Sequence, residues 1–235
     1  MRSFKFDLRK LKIGNGKRLL TIEGVNFELN EDKNCVALLG QSGIGKTTIF
    51  KSLFSNYLKM WKTEGNFELT CHHEMDSQEI TLEALLTNKV DLKFGFATQV
   101  PFFFNDRTVG ENLFLPLKWK KITWSDEQRI EYIERFRLGD LVDAQMSELS
   151  GGQRQLLNIA RMLILKPRLA IIDECFSNMD ERRSKETITL IKKHYPTIRF
   201  LFTSHRKSDI EFFEAQEHTL VREQSKSGEP YITLS

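Results

Sequence analysis

The 235-residue chain has few cysteines and no long apolar segment. Its three cysteines, Cys35, Cys71 and Cys175, are odd in number and lie far apart, which fits a reducing compartment better than a disulfide framework. No apolar run approaches the roughly 18 to 20 residues that span a bilayer, and the N-terminal MRSFKFDLRK lacks the apolar core of a signal peptide. We therefore expect a cytoplasmic protein that is peripheral to a membrane at most through a partner.

The chain also lacks a strong charge bias of either sign. Its 35 Lys and Arg face 32 Asp and Glu, a net charge of +3, and the basic residues are scattered along the sequence. Nucleic acid is therefore not an expected partner. There is no internal repeat and no low-complexity linker, and the 40% hydrophobic content suffices for a buried core. These features predict one domain over residues 1–235.

Patterns of apolar residues predict both kinds of strand. Apolar and polar residues alternate over the first 33 residues, which predicts antiparallel strands broken at 14–16 and at Gly24. CVALLG at 35–40, LAIID at 169–173 and RFLFTS at 199–204 are continuous apolar runs, typical of strands buried on both faces. Strand patterns also occur at 67–71 and 93–98, and a hairpin is expected across Ser227 and Gly228.

Helix signals lie between these strands, so the predicted class is α/β. One helix should run from Lys46 to about Lys62. Ser125 with Gln128 forms a capping-box pattern, which predicts a helix through Arg137. Another helix should begin at Ser150 and stop near Lys166, because Pro167 follows.

The segment GQSGIGKTT follows the first continuous apolar run and matches the phosphate-binding P-loop pattern in its required setting between a strand and a helix. Its glycines let backbone N–H groups face phosphates, its lysine neutralises the β- and γ-phosphates, and its first threonine hydroxyl ligates Mg²⁺. We expect ATP to be bound here by Gly40, Gln41, Ser42, Gly43, Ile44, Gly45, Lys46, Thr47 and Thr48.

LAIIDE at 169–174 places two acids at the end of a predicted buried strand. Ligands of open α/β sheets bind at such carboxyl ends. Asp173 is expected to hold Mg²⁺ through water, and Glu174 to orient or deprotonate the water that attacks the γ-phosphate.

The second glycine-rich segment is LSGGQ at 149–153. Ser150 opens a helix, and Gly151 and Gly152 expose backbone N–H groups in its first turn, so this too can cradle an anion. The segment has no lysine and no metal-binding hydroxyl partner, so it can complete a phosphate site but hardly build one. The simplest interpretation is that this segment caps a nucleotide held by the P-loop of a second copy. The capping residues would be Ser150, Gly151, Gly152 and Gln153.

The P-loop, LSGGQ and LAIIDE together, in this order and spacing, resemble the ATP-binding subunits of ABC transporters over nearly the whole chain. The resemblance implies a P-loop NTPase (RecA-like) core with an N-terminal antiparallel β-subdomain and an inserted α-helical subdomain. The expected division is 1–99 for the β-subdomain and P-loop half, 100–160 for the helical part, and 161–235 for the rest. It also implies that Gln99 contacts Mg²⁺ and the attacking water, that residues 177–180, with Asp180, touch the opposite site, and that His205 meets the γ-phosphate.

The resemblance implies a function as well. Two copies would close head to tail around two Mg-ATP, and hydrolysis would drive transport through a separate membrane permease. Three phenylalanines follow Gln99, so we expect the permease to dock near 99–104. The stretch 108–117 resembles ATPases of lipoprotein-releasing and macrolide-type exporters, whereas SHR at 204–206 is closer to exporters with a fused ATPase, and the initiating methionine favours a separate subunit. The alternatives are an ATPase domain excised from a fused exporter, a nucleotide-gated clamp in translation or on DNA, and a module that binds ATP without hydrolysis.

Three departures from the family pattern are visible. Ile13 stands where an adenine-stacking aromatic residue is usual. Cys175 and Phe176 replace the usual Pro-Thr after the catalytic acid, and the stretch 63–91 aligns poorly. Within that stretch His72 and His73 could suggest a metal site, but in an extended segment they point to opposite faces, so a solvated strand or loop end is the preferred interpretation.

Overall fold

The computed structural model describes residues 3–15, 18–54, 66–75, 78–80 and 93–235. Internal contacts divide the chain into two compact units. The first comprises Met1–Leu92 with Gln216–Ser235, and the second comprises Lys93–Ala215. Within the described ranges no helix is long and apolar enough to cross a membrane.

Strands and helices alternate along much of the chain, which confirms the predicted α/β class. The strands are β1 (Phe4–Asn15), β2 (Arg18–Leu29), β3 (Cys35–Leu39), β4 (Asn66–Met75), β5 (Gln78–Ile80), β6 (Phe94–Ala97), β7 (Leu169–Asp173), β8 (Arg199–Thr203), β9 (Gln216–Gln224) and β10 (Pro230–Leu234). The α-helices are α1 (Lys46–Ser52), α2 (Val109–Trp119), α3 (Asp126–Arg135), α4 (Gly151–Leu163), α5 (Glu181–His194) and α6 (Lys207–Phe213).

The first unit is built on one mostly antiparallel sheet, in the order β5-β4-β1-β2-β10-β9-β3. β1 pairs antiparallel with β2 and with β4, whereas β3 lies parallel to β9. The alternating apolar side chains of β1 and β2 are buried, as the alternation predicts: Phe4, Phe6, Leu8, Ile22, Val25, Phe27 and Leu29. The predicted break at Gly24 is wrong, because β2 continues through this glycine, which adopts a φ of 66° within the strand.

The predicted C-terminal hairpin is confirmed. β9 and β10 pair antiparallel, and the turn between them is closed by two hydrogen bonds, from Ser225 N to Glu229 O and from Gly228 N to Ser225 O, both 2.9 Å. Gly228 has a φ of 82°, the left-handed conformation that favours glycine in such turns.

One predicted helix reaches residues outside the described ranges. The helix α1 begins at Lys46 as expected and ends at Ser52, capped by Leu53. The predicted extension to Lys62 lies beyond residue 54, outside the described residues. His72 and His73 fall within the backbone of β4.

The second unit contains a parallel sheet in the order β8-β7-β6, with β7 in the centre. Every residue of β7 and β8 is buried, in agreement with their continuous apolar sequences. All three strands run in the same direction, so their carboxyl ends meet at one edge of this sheet. The sequence there places Gln99, Glu174 and His205 just past the strand ends.

Capping boxes begin the helices α2, α3 and α4 of this unit. The one predicted at Ser125 is confirmed: Ser125 N donates to Gln128 Oε1 at 2.9 Å, and Gln128 N donates to Ser125 Oγ at 3.3 Å. The helix α3 ends at Arg135, two residues before the predicted end. A second box, at Thr108 and Glu111, begins α2.

An aromatic cluster anchors α3 on the rest of the second unit. Tyr132 is buried, and its hydroxyl donates to Ala160 O on α4 at 2.7 Å. Burial also raises the pKa of Tyr132, so the phenol stays protonated and can keep donating. The rings stack edge-on or tilted along the chain of contacts Phe114, Trp124, Tyr132, Phe136 and Tyr195. Each buried ring contributes about 1.5–3 kcal/mol of transfer free energy.

Candidate active site

The P-loop of the first unit is shaped by glycines in the left-handed region. Gly40 has a φ of 139°, and a Cβ there would lie 3.0 Å from the carbonyl oxygen of Leu220, so no side chain fits. Gly43 has a φ of 75°, and no heavy atom lies within 4 Å of its Cβ position. The loop therefore curls tightly while its outer side stays open, as a phosphate cradle requires.

Lys46 places a positive charge inside this curl. The side chain is 5% exposed, and its Nζ donates to Gly40 O at 2.8 Å and to Gln41 O at 3.2 Å. A buried ammonium held by loop carbonyls beside an open glycine turn fits a polyphosphate group. Thr47 follows in the first turn of α1, so the predicted ATP-binding residues of the P-loop form one local structure.

In the second unit, Glu174 lies between the other two predicted catalytic side chains. Gln99 Nε2 donates to Glu174 Oε2 at 2.7 Å. His205 Nε2 lies 3.0 Å from Glu174 Oε1, and because a carboxylate only accepts, this nitrogen carries the proton. The structure therefore brings Gln99, Glu174 and His205 into one hydrogen-bonded group.

The backbone of Glu174 adopts a conformation that non-glycine residues rarely take. Its φ is 52°, in the left-handed region, which costs on the order of 1 kcal/mol. The Thr203 hydroxyl stabilises this bend, because it accepts from Glu174 N at 2.9 Å and donates to Asp173 Oδ1 at 2.8 Å. The sequence analysis missed Thr203. The available signal was a polar residue at the buried end of β8.

Two amides of α4 fix the backbone that carries Gln99. Gln155 Nε2 donates to Gln99 O at 2.6 Å, and Asn158 Nδ2 donates to Thr98 O at 3.0 Å. Both side chains are buried. The sequence analysis predicted this helix but assigned no role to the two amides, which need hydrogen-bond partners because they are buried.

Cys175, one of the departures from the family pattern, is buried against the carbonyls at the ends of β6 and β7. Its Sγ lies 3.4 Å from Ala97 O and 3.6 Å from Asp173 O, and Asn158 Nδ2 approaches it at 3.7 Å. Burial, and then the charge of Asp173, raise the pKa of the Cys175 thiol well above its usual range.

The LSGGQ segment begins α4 with a capping box. Ser150 N donates to Gln153 Oε1 at 2.8 Å, and Ser150 Oγ accepts from Gln153 N at 3.3 Å. Gly151 is exposed, whereas Gly152 is buried, and a Cβ on Gly152 would lie 3.0 Å from Asn178 O. The missing side chain of Gly152 thus allows close packing against the loop 177–180.

The loop 177–180 is fixed at both ends. Ser177 Oγ donates to Glu174 O at 2.7 Å, and Asp180 caps α5 by accepting from Arg183 N at 2.8 Å. This backbone hydrogen bond lowers the pKa of the exposed Asp180 carboxyl, so the cap stays ionised.

The predicted Mg²⁺ ligands fit the ion by their chemistry. Thr47 supplies a hydroxyl, Asp173 a carboxylate and Gln99 an amide oxygen, and Mg²⁺ prefers oxygen ligands. The amide nitrogen of Gln99 is taken by Glu174, so its oxygen is the atom suited to a metal. Among the described residues, no group of three or more His, Cys, Asp or Glu could hold a metal ion.

The predicted docking segment forms a cleft of about 430 Å³. Its lining includes Gln99, Phe102, Met146 and Gly151. Of the three phenylalanines, Phe102 is 70% exposed, whereas Phe103 is buried under the guanidinium of Arg161, whose carbon lies 4.4 Å from the ring centroid. A larger groove of about 640 Å³, lined mainly by α5 and by residues between 135 and 141, contains none of the three catalytic candidates.

Comparison with known proteins identifies the same family. The family model for the ABC transporter matches residues 22–177. The lipoprotein-releasing system ATP-binding protein LolD of Francisella tularensis subsp. holarctica (strain OSU18) is 30% identical over 175 residues, which cover 73% of this chain and 72% of LolD.

Two solved structures share the fold. A bacterial Atm1-family ABC exporter with ATP bound has a TM-score of 0.69 at 23% identity. The match covers 94% of this chain but only 37% of the exporter. A dimeric ATP-binding cassette bound to ADP and phosphate has a TM-score of 0.67 at 22% identity, with coverage of 92% and 93%. At these identities the likeness shows the fold alone, and it confirms the predicted P-loop NTPase class.

The raised pKa of Cys175 gives a test of the packing beneath Glu174. We expect an alkylating thiol reagent to leave Cys175 unmodified in the folded protein between about pH 7 and pH 9, because the thiol is both buried and protonated there. Mass spectrometry of proteolytic peptides measures this, with urea-unfolded protein as the control that must label. Labelling of Cys175 in the folded protein at the unfolded rate would contradict the described packing.

Proposed function

The chain belongs to the ABC transporter family and has the ATPase domain of that family, and we propose that it hydrolyses Mg-ATP with Glu174 as the general base. The observation that carries this proposal is the Glu174 carboxylate, held by Gln99 at one oxygen and by His205 at the other. A general base must be held in one orientation at the end of a rigid element. The contacts with Gln99 and His205, together with the hydrogen bond from Glu174 N to Thr203, hold the carboxylate in this way.

Each predicted residue has a defined task in this proposal. Lys46 and the P-loop N–H groups bind the β- and γ-phosphates. Gln99 orients the attacking water, Glu174 accepts its proton, and His205 contacts the γ-phosphate. Bound Mg²⁺, held by Thr47, Gln99 and Asp173, would neutralise charge that develops on the phosphate oxygens.

We further propose that the LSGGQ segment serves the nucleotide of a second copy. Gly151 exposes backbone at the first turn of α4, but the segment has no lysine, so it needs a P-loop from elsewhere. A head-to-tail pair of identical chains supplies each P-loop with one LSGGQ segment under twofold symmetry.

The cleft beside Gln99 is the proposed docking site of a membrane permease. Phe102 is an exposed aromatic ring, which is typical of interface anchors, and the cleft beside it can accept a short helix. Contact there would reach Gln99 directly. The similarity to LolD, named as the ATP-binding protein of a lipoprotein-releasing system, favours a separate ATPase subunit over a domain of a fused exporter.

The proposed base is tested by Glu174→Gln. The variant should bind ATP with unchanged affinity and lose at least about 99% of the hydrolysis rate, because a general base contributes typically 10²–10⁴-fold. Steady-state phosphate release and nucleotide titration measure the two quantities.

Glu148→Gln is the matched control, because Glu148 is exposed and its carboxylate accepts from Gln145 N at 3.3 Å in a short turn. It should retain the wild-type rate. Hydrolysis by Glu174→Gln within tenfold of wild type would exclude Glu174 as the base.

The docking proposal is tested by Phe102→Asp. Basal hydrolysis should be unchanged, whereas the integral membrane protein that copurifies with the tagged wild-type chain from detergent-solubilised membranes should be lost. Ile130→Asp, at another exposed apolar side chain on α3, is the control and should keep it. Equal recovery of that membrane protein with Phe102→Asp and Ile130→Asp would contradict docking at this cleft.

A further inference from the structure

A buried ionic junction contains both chain neighbours of His205, Ser204 and Arg206. Its centre is Asp209 on α6, which is 0% exposed. The Asp209 carboxylate accepts from Ser184 Oγ on α5 at 2.5 Å and from Ser204 Oγ at 2.6 Å. Arg206, the residue after His205, donates to the same carboxylate through Nε at 3.1 Å and Nη2 at 3.0 Å. The junction therefore joins α5, α6 and the end of β8.

Arg206 also reaches the loop that follows the catalytic acid. Its Nη1 donates to Met179 O and its Nη2 to Phe176 O, both at 2.7 Å. These two carbonyls flank Ser177 and Asn178. The guanidinium of Arg206 thus binds both the Asp209 carboxylate and two backbone carbonyls of the loop 176–179.

The planar guanidinium makes this connection rigid. Its N–H groups point in fixed directions within one plane. The four hydrogen bonds therefore fix both the distance and the angle between the Asp209 carboxylate and the two loop carbonyls. Since Arg206 is adjacent to His205 in the chain, movement of His205 away from the loop 176–179 requires these bonds to break.

We propose that Arg206 is a positioning residue that couples the loop 176–179 to His205, so that the segment expected to face the neighbouring site and the histidine on Glu174 move together. This inference rests on the proposed function. Arg206 makes no described contact with Glu174, Gln99 or the P-loop; it acts through the carbonyls of Phe176 and Met179 and through its chain neighbour His205.

This role predicts a change in turnover and not in nucleotide binding. The contacts of Arg206 given above all lie within residues 176–209, so KM for ATP should stay within about threefold. Misplacement of His205 and the loop should lower kcat about tenfold or more, because small displacements of reacting groups are costly.

The test compares Arg206→Met with Arg206→Lys. Lysine keeps the positive charge beside Asp209 but has a single nitrogen, which cannot hold the carboxylate and both carbonyls in one plane. We expect Arg206→Lys to retain most of the thermal stability yet share the low kcat of Arg206→Met. Arg137→Met, at an exposed arginine paired with Glu186, should turn over at the wild-type rate. Wild-type kcat in Arg206→Met or in Arg206→Lys would overturn the proposal.

A double variant, Arg206→Met with Asp209→Asn, distinguishes the proposed positioning role from a merely structural one. In Arg206→Met alone, the buried Asp209 carboxylate would lose its cationic partner. The second change removes that charge, so the double variant should fold while its kcat stays low. Recovery of wild-type kcat would mean that Arg206 only neutralises Asp209.

Hydrogen exchange tests the coupling independently of ATP hydrolysis. Amides in residues 176–180 and at His205 should exchange faster in the double variant than in Arg137→Met. If the wild type does not hydrolyse ATP, the proposed function fails but faster exchange still supports the coupling. Unchanged exchange in both segments would overturn it.

Discussion

The fixed carboxylate of Glu174 is the feature on which the rest of the second unit depends. Three buried parallel strands end at one edge of the sheet, and one predicted catalytic side chain follows each of them. The two oxygens of Glu174 are engaged by the other two side chains, and its left-handed backbone is held by Thr203. Such preorganisation is most useful where a proton must leave a water molecule in one direction.

The two glycine-rich segments use the same backbone chemistry for different tasks. In the P-loop, positive-φ glycines wrap the chain around the buried Lys46, and this segment is the one proposed to bind phosphate by itself. In LSGGQ, one glycine is exposed at a capped helix start and the other packs on the loop 177–180. A segment without a cation adds to a phosphate site that already exists, which is why the proposed assembly needs two copies.

Much of this arrangement could be predicted from the sequence. The P-loop, the buried strands, the capping box at Ser125 and the acid pair at Asp173 and Glu174 follow from local patterns, whereas Gln99 and His205 were expected only from the resemblance to ABC transporter ATPases. The bend at Glu174, the amides of Gln155 and Asn158 and the junction at Asp209 could not be predicted, because each depends on a partner 25 to 60 residues away that a local pattern does not contain. The continuation of β2 through Gly24 could not be predicted either, because pairing with β1 outweighs the low strand propensity of one glycine.

The central claim is that each nucleotide is shared by the P-loop of one copy and the LSGGQ segment of the other. Complementation of two inactive variants tests it most directly: Lys46→Ala removes the P-loop cation, and Ser150→Arg blocks the LSGGQ segment. Neither should hydrolyse ATP alone, but an equimolar mixture should recover up to about a quarter of the wild-type rate, because half of the randomly formed pairs contain one intact site. A mixture that stays inactive, with both variants folded, would contradict the shared site.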